Sequence, residues 1–163
     1  MAIKDFEYMH GAVLTRILRM EEPLTLTLVE NNKNEAWAAY RFLSSANNGG
    51  ILYIKCSKTP RKTDKHYAWS FVFNRENLSE LHRLKQEKLY LAFVCAHNAF
   101  SEKPSEICLL YPDDISKIID TDSTIQQSVS VFIEDGKSMR VSGSNTNREK
   151  KIIERNRIDN IKF

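Results

Sequence analysis

The residues with the clearest chemical potential are five basic side chains that lie between residues 55 and 65, opposed there only by Asp64. Ammonium and guanidinium groups that reach solvent together neutralise phosphates and release counterions. The spacing therefore predicts a cationic surface that binds DNA or RNA. The predicted phosphate-binding residues are Lys55, Lys58, Arg61, Lys62 and Lys65.

A second basic segment runs from residue 140 to residue 162, where seven bases oppose three acids. We predict lesser phosphate contacts from Arg140, Arg148 and Arg155. Tyr67 and Trp69 follow the first basic segment, and aromatic rings beside cations can stack on the bases of a nucleic acid. The net charge is only +3, so this prediction depends on both basic segments sharing one face of the molecule.

Other catalytic and metal-binding chemistry lacks its usual spacing in this chain. Cys95 and His97 form a Cys-x-His pair, but no second pair exists to complete a tetrahedral metal site. Cys56, Cys95 and Cys108 lie in apolar runs, which predicts free, buried thiols with little thiolate. Glycine-rich phosphate loops and the serine-hydrolase and zinc-protease motifs are not found. We expect no metal site and no cofactor.

Length and composition indicate one soluble domain. The chain has 163 residues, of which 42% are hydrophobic, and this is typical of a globular fold that can bury its own core. No apolar run approaches the roughly 18 residues that a membrane-spanning helix needs. Asp5 and Glu7 interrupt the N-terminal segment, so no secretory signal is visible. We expect a cytoplasmic protein without a membrane partner.

The elements that must position these residues begin with a helix from Phe6 to Met20, capped by Asp5. Period-two alternation and aromatic content then predict strands at 24–30 and 36–43. Strands at 51–57 and 66–74 enclose the first basic segment, and we expect them to form a cationic hairpin whose loop projects into solvent.

The second half of the chain continues with a helix capped by Asn74, a doubly apolar strand at 88–96 and a strand at 106–111. Pro112 then opens a short helix, and Asp135-Gly136 predicts a hairpin turn. These elements predict an α+β fold with a single mixed β-sheet flanked by two to three helices and a C-terminal β-hairpin. We expect residues 1–143 to form one domain and residues 144–163 to form a polar, basic C-terminal arm.

The order helix, strand, strand, strand, helix, strand resembles the core of the restriction-endonuclease-like (PD-D/ExK) superfamily over about half of the chain. Lys55 occupies the place of the lysine in that family's Asp/Glu-x-Lys motif, although Tyr53 stands where the motif has its carboxylate. The resemblance implies a nuclease-like fold, and Glu7 would correspond to the family's helical glutamate. Segments such as YIKCS, WSFVF and MRVSGS are also similar to a set of uncharacterised bacterial proteins, from which no activity follows.

Metal-dependent cleavage of a phosphodiester requires carboxylate oxygens that converge on a hard cation such as Mg²⁺. Lys55 can hold a phosphate but cannot hold the metal. Glu30, at the end of the first predicted strand, could supply a second carboxylate beside Glu7. A Mg²⁺-dependent nuclease is therefore expected only if Glu7, Glu30 and Lys55 converge in the fold.

Three hypotheses follow from the sequence. The first is a nucleic-acid-binding protein, with a divergent, inactive nuclease-like fold included within it. The second is a protein-interaction module that forms a homodimer or binds a protein partner through a sheet edge or the aromatic row 67–73. The third is a metal-dependent nuclease. We expect a binding protein rather than an enzyme.

Overall fold

In the computed structural model the strands divide between two five-stranded sheets. The structure describes residues 2–31, 37–98, 103–147 and 149–162, with the backbone alone for residues 30 and 31. The helices are α1 (Asp5–Leu18), α2 (Arg75–Leu84), α3 (Pro112–Ile118) and a 3₁₀ turn (Arg157–Asp159). The strands are β1 (Leu24–Asn31), β2 (Trp37–Ser44), β3 (Gly49–Ser57), β4 (Arg61–Lys62), β5 (Tyr67–Phe73), β6 (Leu89–Cys95), β7 (Glu106–Leu110), β8 (Gln127–Ile133), β9 (Met139–Ser142) and β10 (Lys151–Ile153).

The main sheet has the strand order β1-β2-β3-β6-β7. Strands β3 and β6 are parallel, whereas every other neighbouring pair in this sheet is antiparallel. Strand β6 is buried along its whole length, as its doubly apolar sequence predicts. The predicted α+β class, with a mixed sheet flanked by helices, is confirmed.

The second sheet is antiparallel throughout and has the order β10-β9-β8-β5-β4. The predicted C-terminal hairpin is confirmed as β8 and β9, and Gly136 supplies the positive φ of +73° at its turn. The sequence pattern predicts a single sheet, and the structure has two. Alternation identifies which side of a strand is buried, but it does not say which sheet the strand joins.

The predicted cationic hairpin is wrong, because its two arms belong to different sheets. Strand β3 pairs with β2 and β6, whereas β5 pairs with β4 and β8. Strand β3 is apolar on both faces and so lies at the centre of the main sheet. The basic segment between β3 and β5 therefore crosses from one sheet to the other.

Two apolar clusters hold the layers together. On one face of the main sheet, α1 packs through Met9, Val13 and Ile17. On the other face, the second sheet, α2 and α3 pack against it, and the rings of Phe71 and Phe93 lie 4.5 Å apart between the sheets. Each face of the main sheet is thus covered by a different part of the chain.

The helix boundaries follow local capping. At α1 the predicted cap, Asp5, is wrong: Lys4 is the N-cap residue, and its backbone N–H donates to Glu7 Oε2 at 2.6 Å. At α2 the predicted cap is confirmed, since Asn74 Oδ1 accepts from the Asn77 N–H at 2.8 Å. Pro112 begins α3, as predicted.

The segment after residue 143, predicted to be a polar arm, adds a strand to the second sheet and apolar residues to the core beneath α1. Strand β10 pairs with β9, and Ile153 is completely buried between the sheets. Ile158 and Ile161 join the cluster that α1 covers. Within the described residues, no helix has the length and apolar character needed to span a bilayer.

Candidate nucleic-acid interface

The five cations of the first basic segment do not form one cluster. Lys55 lies between the sheets, where its Nζ donates to Asn77 Oδ1 at 3.0 Å and lies 4.8 Å from the centroid of the Phe73 ring. These contacts hold its charge against α2 and β5. Lys55 therefore belongs to the seam between the sheets and not to a solvent-projecting loop.

Lys58 and Lys62 point to different parts of the surface. Lys58 forms an ion pair with Asp5 at the start of α1, which places it on the α1 side of the main sheet. Lys62 lies on the short edge strand β4, and its Nζ is 5.9 Å from the centroid of the Tyr67 ring. The prediction of a single cationic cluster is wrong, because Lys58 binds Asp5 beside α1 whereas Lys62 lies beside Tyr67 on the second sheet.

Arg61 and Arg140 come together on the side of the second sheet that faces away from the main sheet. Arg61 pairs with Ala68, Ala68 with Phe132, and Phe132 with Arg140. Arg140 in turn pairs with Ile152. Because directly paired residues of antiparallel strands project to the same side, these five form one row across all five strands. Arg61 and Arg140 are three strand spacings apart, about 14 Å.

This outward side of the second sheet, which we call the outer face, is not covered by any described helix. The inward residues of the same strands, such as Phe71, Val131 and Val141, are buried, whereas their outward neighbours, apart from Ala68 at 8% exposed, are exposed or half-buried. The outward neighbours are mostly small or hydroxyl-bearing. They are Ala68, Ser70, Val72, Ser128, Ser130 and Ser142, together with the row residues Arg61, Phe132, Arg140 and Ile152.

Phe132 stands at the centre of the outer face, on the middle strand of the second sheet. Lys150 Nζ lies 3.7 Å from the centroid of its ring, a cation–π contact. The His66 ring packs edge-on at 5.5 Å. The Phe132 ring is thus held between the Lys150 ammonium and the His66 imidazole.

The electrostatics of this region are positive. The outward positions in the row of Phe132 and in the neighbouring row Ser70, Ser130 and Ser142 include no acid. Glu134 lies beyond them, at the hairpin turn, and its carboxylate binds Lys137 at 2.8 Å. The pKa of Glu134 is lowered first by that hydrogen bond and also by the charges of Arg140 and Lys65. Lys65 and Arg140 therefore contribute positive potential to the same end of the outer face.

The two predicted stacking residues lie on the inward side of the second sheet. Trp69 is only 3% exposed, and its Nε1–H donates to the carbonyl of Ala96 at 2.7 Å. Tyr67 is half-buried and packs edge-on against His97, with ring centroids 5.0 Å apart, while Lys103 contacts its hydroxyl. Neither ring shares the outer face with Phe132.

The lesser candidates of the second basic segment also separate. Arg155 binds Glu106 on β7, with Nε donating to Oε2 at 2.8 Å, and its guanidinium reaches the carbonyls of Glu134 and Lys137 in the hairpin turn. Hydrogen bonding to Glu106 raises the pKa of Arg155. Arg155 thus links the two sheets and is neutralised by an acid. Arg148 lies outside the described residues.

The residues predicted for a nuclease site are not brought together. Lys55 contacts α2 and β5 on one face of the main sheet, whereas Glu7 lies on α1, which covers the opposite face. Glu30 belongs to the edge strand β1, two strands from β3, and its backbone pairs with Ala39. Among the described residues, no group of three or more His, Cys, Asp or Glu side chains is placed to hold a metal ion.

The sequence patterns do not predict three residues of the outer face: Phe132, Lys150 and His66. For Phe132 a signal is available, because in residues 127–133 the aliphatic positions 129, 131 and 133 alternate with Ser128, Ser130 and Phe132. An aromatic side chain on the serine side of a strand is out of phase with the core. Comparison with protein-family models, curated proteins and solved structures found no match for this chain.

Proposed function

We propose that this protein binds single-stranded nucleic acid on the outer face of the second sheet. The observation that supports the proposal best is the cross-strand row that places Arg61 and Arg140 on either side of Phe132, with Lys150 against the ring. Cations spaced along a surface suit a phosphate backbone, and an outward-facing aromatic ring at the centre of an antiparallel sheet suits a base.

Phosphate binding falls to Arg61, Arg140 and Lys150. Arg61 and Arg140 are exposed, and the small side chains of Ala68, Ser70 and Ser130 beside Phe132 allow a backbone to approach the sheet closely. Lys150 lies on the other side of Phe132 from the edge strand β4. A strand crossing the sheet would meet one cation at each end of its path and a third beside the ring.

Base binding falls to Phe132. Its contact with Lys150 occupies the ring in the free protein. When a phosphate draws the ammonium away, the ring is released for stacking on a base, which has a π-face whatever its sequence. This arrangement favours single strands, because the bases of a duplex are already stacked on one another.

We also propose that this fold is a divergent, inactive relative of the restriction-endonuclease-like fold. Its support is the order of α1, β1 to β3, α2 and β6, although β4 and β5 interrupt that order. Cleavage is not part of the proposal, since Lys55 and Glu7 face opposite sides of the main sheet.

The test is fluorescence anisotropy with labelled single-stranded DNA and RNA oligonucleotides over a range of salt. Neutralising three phosphates of a single strand predicts a slope of about −2 for log affinity against log salt, or roughly a 20-fold loss between about 50 and 200 mM. Arg140→Glu should weaken binding by about tenfold at low salt and make the slope shallower.

The matched control is Arg19→Glu. Arg19 is an exposed arginine at the end of α1, on the far side of the main sheet, so the substitution changes net charge equally without touching the outer face. It should leave affinity within about twofold, because screening limits distant charges. Equal losses for the two variants, or no binding of the unmodified protein at low salt, would refute the proposal.

A further inference from the structure

A second group of cations surrounds the Tyr67 ring at one end of the seam between the sheets. Lys103 Nζ lies 4.3 Å from the centroid of this ring and also contacts the phenol oxygen, and Lys62 Nζ lies 5.9 Å from the same centroid. The His97 ring packs edge-on at 5.0 Å. Both lysines are exposed, whereas Tyr67 and His97 are half-buried. We call these four residues the edge cluster.

The two lysines of the edge cluster are not neutralised within the described part of the chain. Neither of them forms an ion pair with a described acid, unlike Lys58 with Asp5. Glu106, the acid of β7 at this end of the sheets, is bound by Arg155 instead. Asp64 lies in the loop after Lys62 but forms no ion pair with it. The edge cluster is therefore positively charged and lacks a counter-ion of its own.

The close approach of two ammonium groups to one ring suits a doubly charged ligand. On the outer face, Arg61 and Arg140 are about 14 Å apart, a spacing that suits the singly charged diesters of a nucleic-acid backbone. A phosphate monoester carries about −1.5 to −2 charges at neutral pH and has three strong acceptor oxygens. The Tyr67 hydroxyl accepts from Lys103, which leaves its own O–H to donate to an anion.

The edge strand β4 connects the outer face with the edge cluster. Its two residues, Arg61 and Lys62, pair with consecutive residues of β5 and project to opposite sides of the sheet. No described strand pairs with the other edge of β4. A nucleic-acid strand that passes from Arg140 over Phe132 to Arg61 therefore reaches the end of the sheet at β4, and its terminus can turn around that edge toward Lys62.

We propose that the edge cluster binds the terminal phosphate of a single strand whose bases lie on the outer face. This inference rests on the proposed function and adds the chemical end group that the protein recognises. Lys62 and Lys103 contact the phosphate oxygens, and the Tyr67 hydroxyl donates a further hydrogen bond. His97 packs against Tyr67 and supports the position of its ring. No bond forms or breaks, so the cluster acts in recognition alone.

The experiment is fluorescence anisotropy with one internally labelled oligonucleotide of about ten nucleotides in three forms: 5′-phosphorylated, 3′-phosphorylated and with hydroxyls at both ends. One phosphorylated form should bind about tenfold more tightly than the hydroxyl form, because charge-assisted hydrogen bonds are added. The gain should be confined to one end, since a bound strand has one polarity. No gain, or an equal gain at both ends, would overturn this inference. Binding of the hydroxyl form tests the proposed function separately.

Lys103→Gln should reduce the preference for the phosphorylated form to about twofold or less. Its affinity for the hydroxyl form should stay within about twofold, because Lys103 lies away from the outer face. The matched control is Lys88→Gln. Lys88 Nζ also lies 5.9 Å from a tyrosine ring, that of Tyr90 in the cluster beneath α1, so the charge change and the type of contact are the same. Equal effects of the two substitutions, or a preference that survives Lys103→Gln, would overturn the inference.

A free phosphate compound is the other source of the same chemistry, and competition distinguishes it from a strand terminus. Inorganic phosphate and a nucleoside monophosphate should displace the phosphorylated oligonucleotide far less effectively than the unlabelled oligonucleotide does, because the strand also engages the outer face and the two contacts are linked. Displacement by the monophosphate at the same concentration as the unlabelled strand would identify a small-molecule site and overturn the inference.

Discussion

The surroundings of Phe132 become clear only once its neighbours in the fold are known. Its strand alternates buried aliphatic residues with outward residues, and Phe132 is the large aromatic member of the outward set. The pairing partners Ala68 and Arg140 place it between small and cationic side chains. The ring therefore lies half-buried on the outer face, between small and cationic side chains.

Replacing Phe132 with leucine should separate stacking from charge. Leucine keeps an apolar side chain at the site but removes the π-face, so affinity for a single-stranded oligonucleotide should fall about tenfold at constant salt. The slope of log affinity against log salt should stay unchanged, because the cations remain. Anisotropy titrations of the variant at several salt concentrations measure both quantities.

Phe132→Tyr is the matched variant, since it retains an aromatic ring at the same place. Its affinity should remain close to that of the unmodified protein. If the leucine and tyrosine variants lose affinity equally, or if neither loses any, Phe132 does not stack on bases and only the phosphate contacts of the proposal survive.

Several basic residues, by contrast, have partners within the protein that the sequence does not indicate. The sequence predicts Lys55, Lys58 and Arg155 as free cations, but in the fold each contacts a polar or acidic residue: Asn77, Asp5 and Glu106, respectively. These partners lie between 22 and 53 residues away along the chain. Spacing in sequence carries no information on such contacts, and this is why the single cationic cluster was wrong.

At the scale of elements, the second helix shows what local chemistry determines. Asn74 and Asn77 exchange hydrogen bonds at the start of α2, and Leu78, Leu81 and Leu84 form its buried stripe. Both features depend on residues within a few positions of one another. The sequence therefore predicts the start, the cap and the buried face of α2 correctly.

Asn74→Ala should lower the free energy of unfolding by about 1 kcal/mol, because the Asn77 N–H loses its acceptor at the helix start. Urea denaturation measures the change. Ser79→Ala, at an exposed position inside the same helix, should instead be neutral or slightly stabilising. Equal destabilisation by both substitutions would show that the cap does not contribute.

Sequence patterns identify the strands but do not determine which strands pair with one another. Alternation predicts β3 and β5 as strands, and their closeness in the chain favours a hairpin. The observed pairing instead follows burial. Strand β3 has a neighbouring strand at each edge and a packed layer on each face, whereas the outward face of β5 stays open. Competition among the ten described strands decides which of them pair. A short segment of sequence contains no information on that competition.

The whole molecule buries two of its three cysteines, Cys95 and Cys108, whereas Cys56, predicted to be buried, is half-buried. Cys56, Cys95 and Cys108 are free thiols, as predicted. Burial raises the pKa of Cys108 from 9.0 to about 12, and burial also raises the pKa of Cys95. Between these values the folded state keeps a proton on Cys108 that the unfolded state releases. The contribution of Cys108 to the free energy of unfolding therefore falls as pH rises above about 9.

This linkage predicts the behaviour of Cys108→Ala. At pH 8 the variant should be less stable than the unmodified protein, because it leaves a small cavity. As pH rises from 9 to about 10.5, the difference should narrow by up to about 2 kcal/mol, since the variant has no thiol to deprotonate there. Urea denaturation at each pH measures it. A difference that stays constant or widens would contradict a raised pKa for Cys108.

The sequence by itself determined the α+β class, the central doubly buried strand, the cap at Asn74, the helix start at Pro112 and the hairpin at Gly136. Each of these follows from hydrophobic period or from contacts within a few residues. The tertiary structure alone decided that the strands form two sheets, that Lys55 and Trp69 are used in packing, and that Arg61, Phe132 and Arg140 share a row. These outcomes depend on which apolar faces cover one another across the whole chain, and burial against a distant partner leaves no local trace in the sequence.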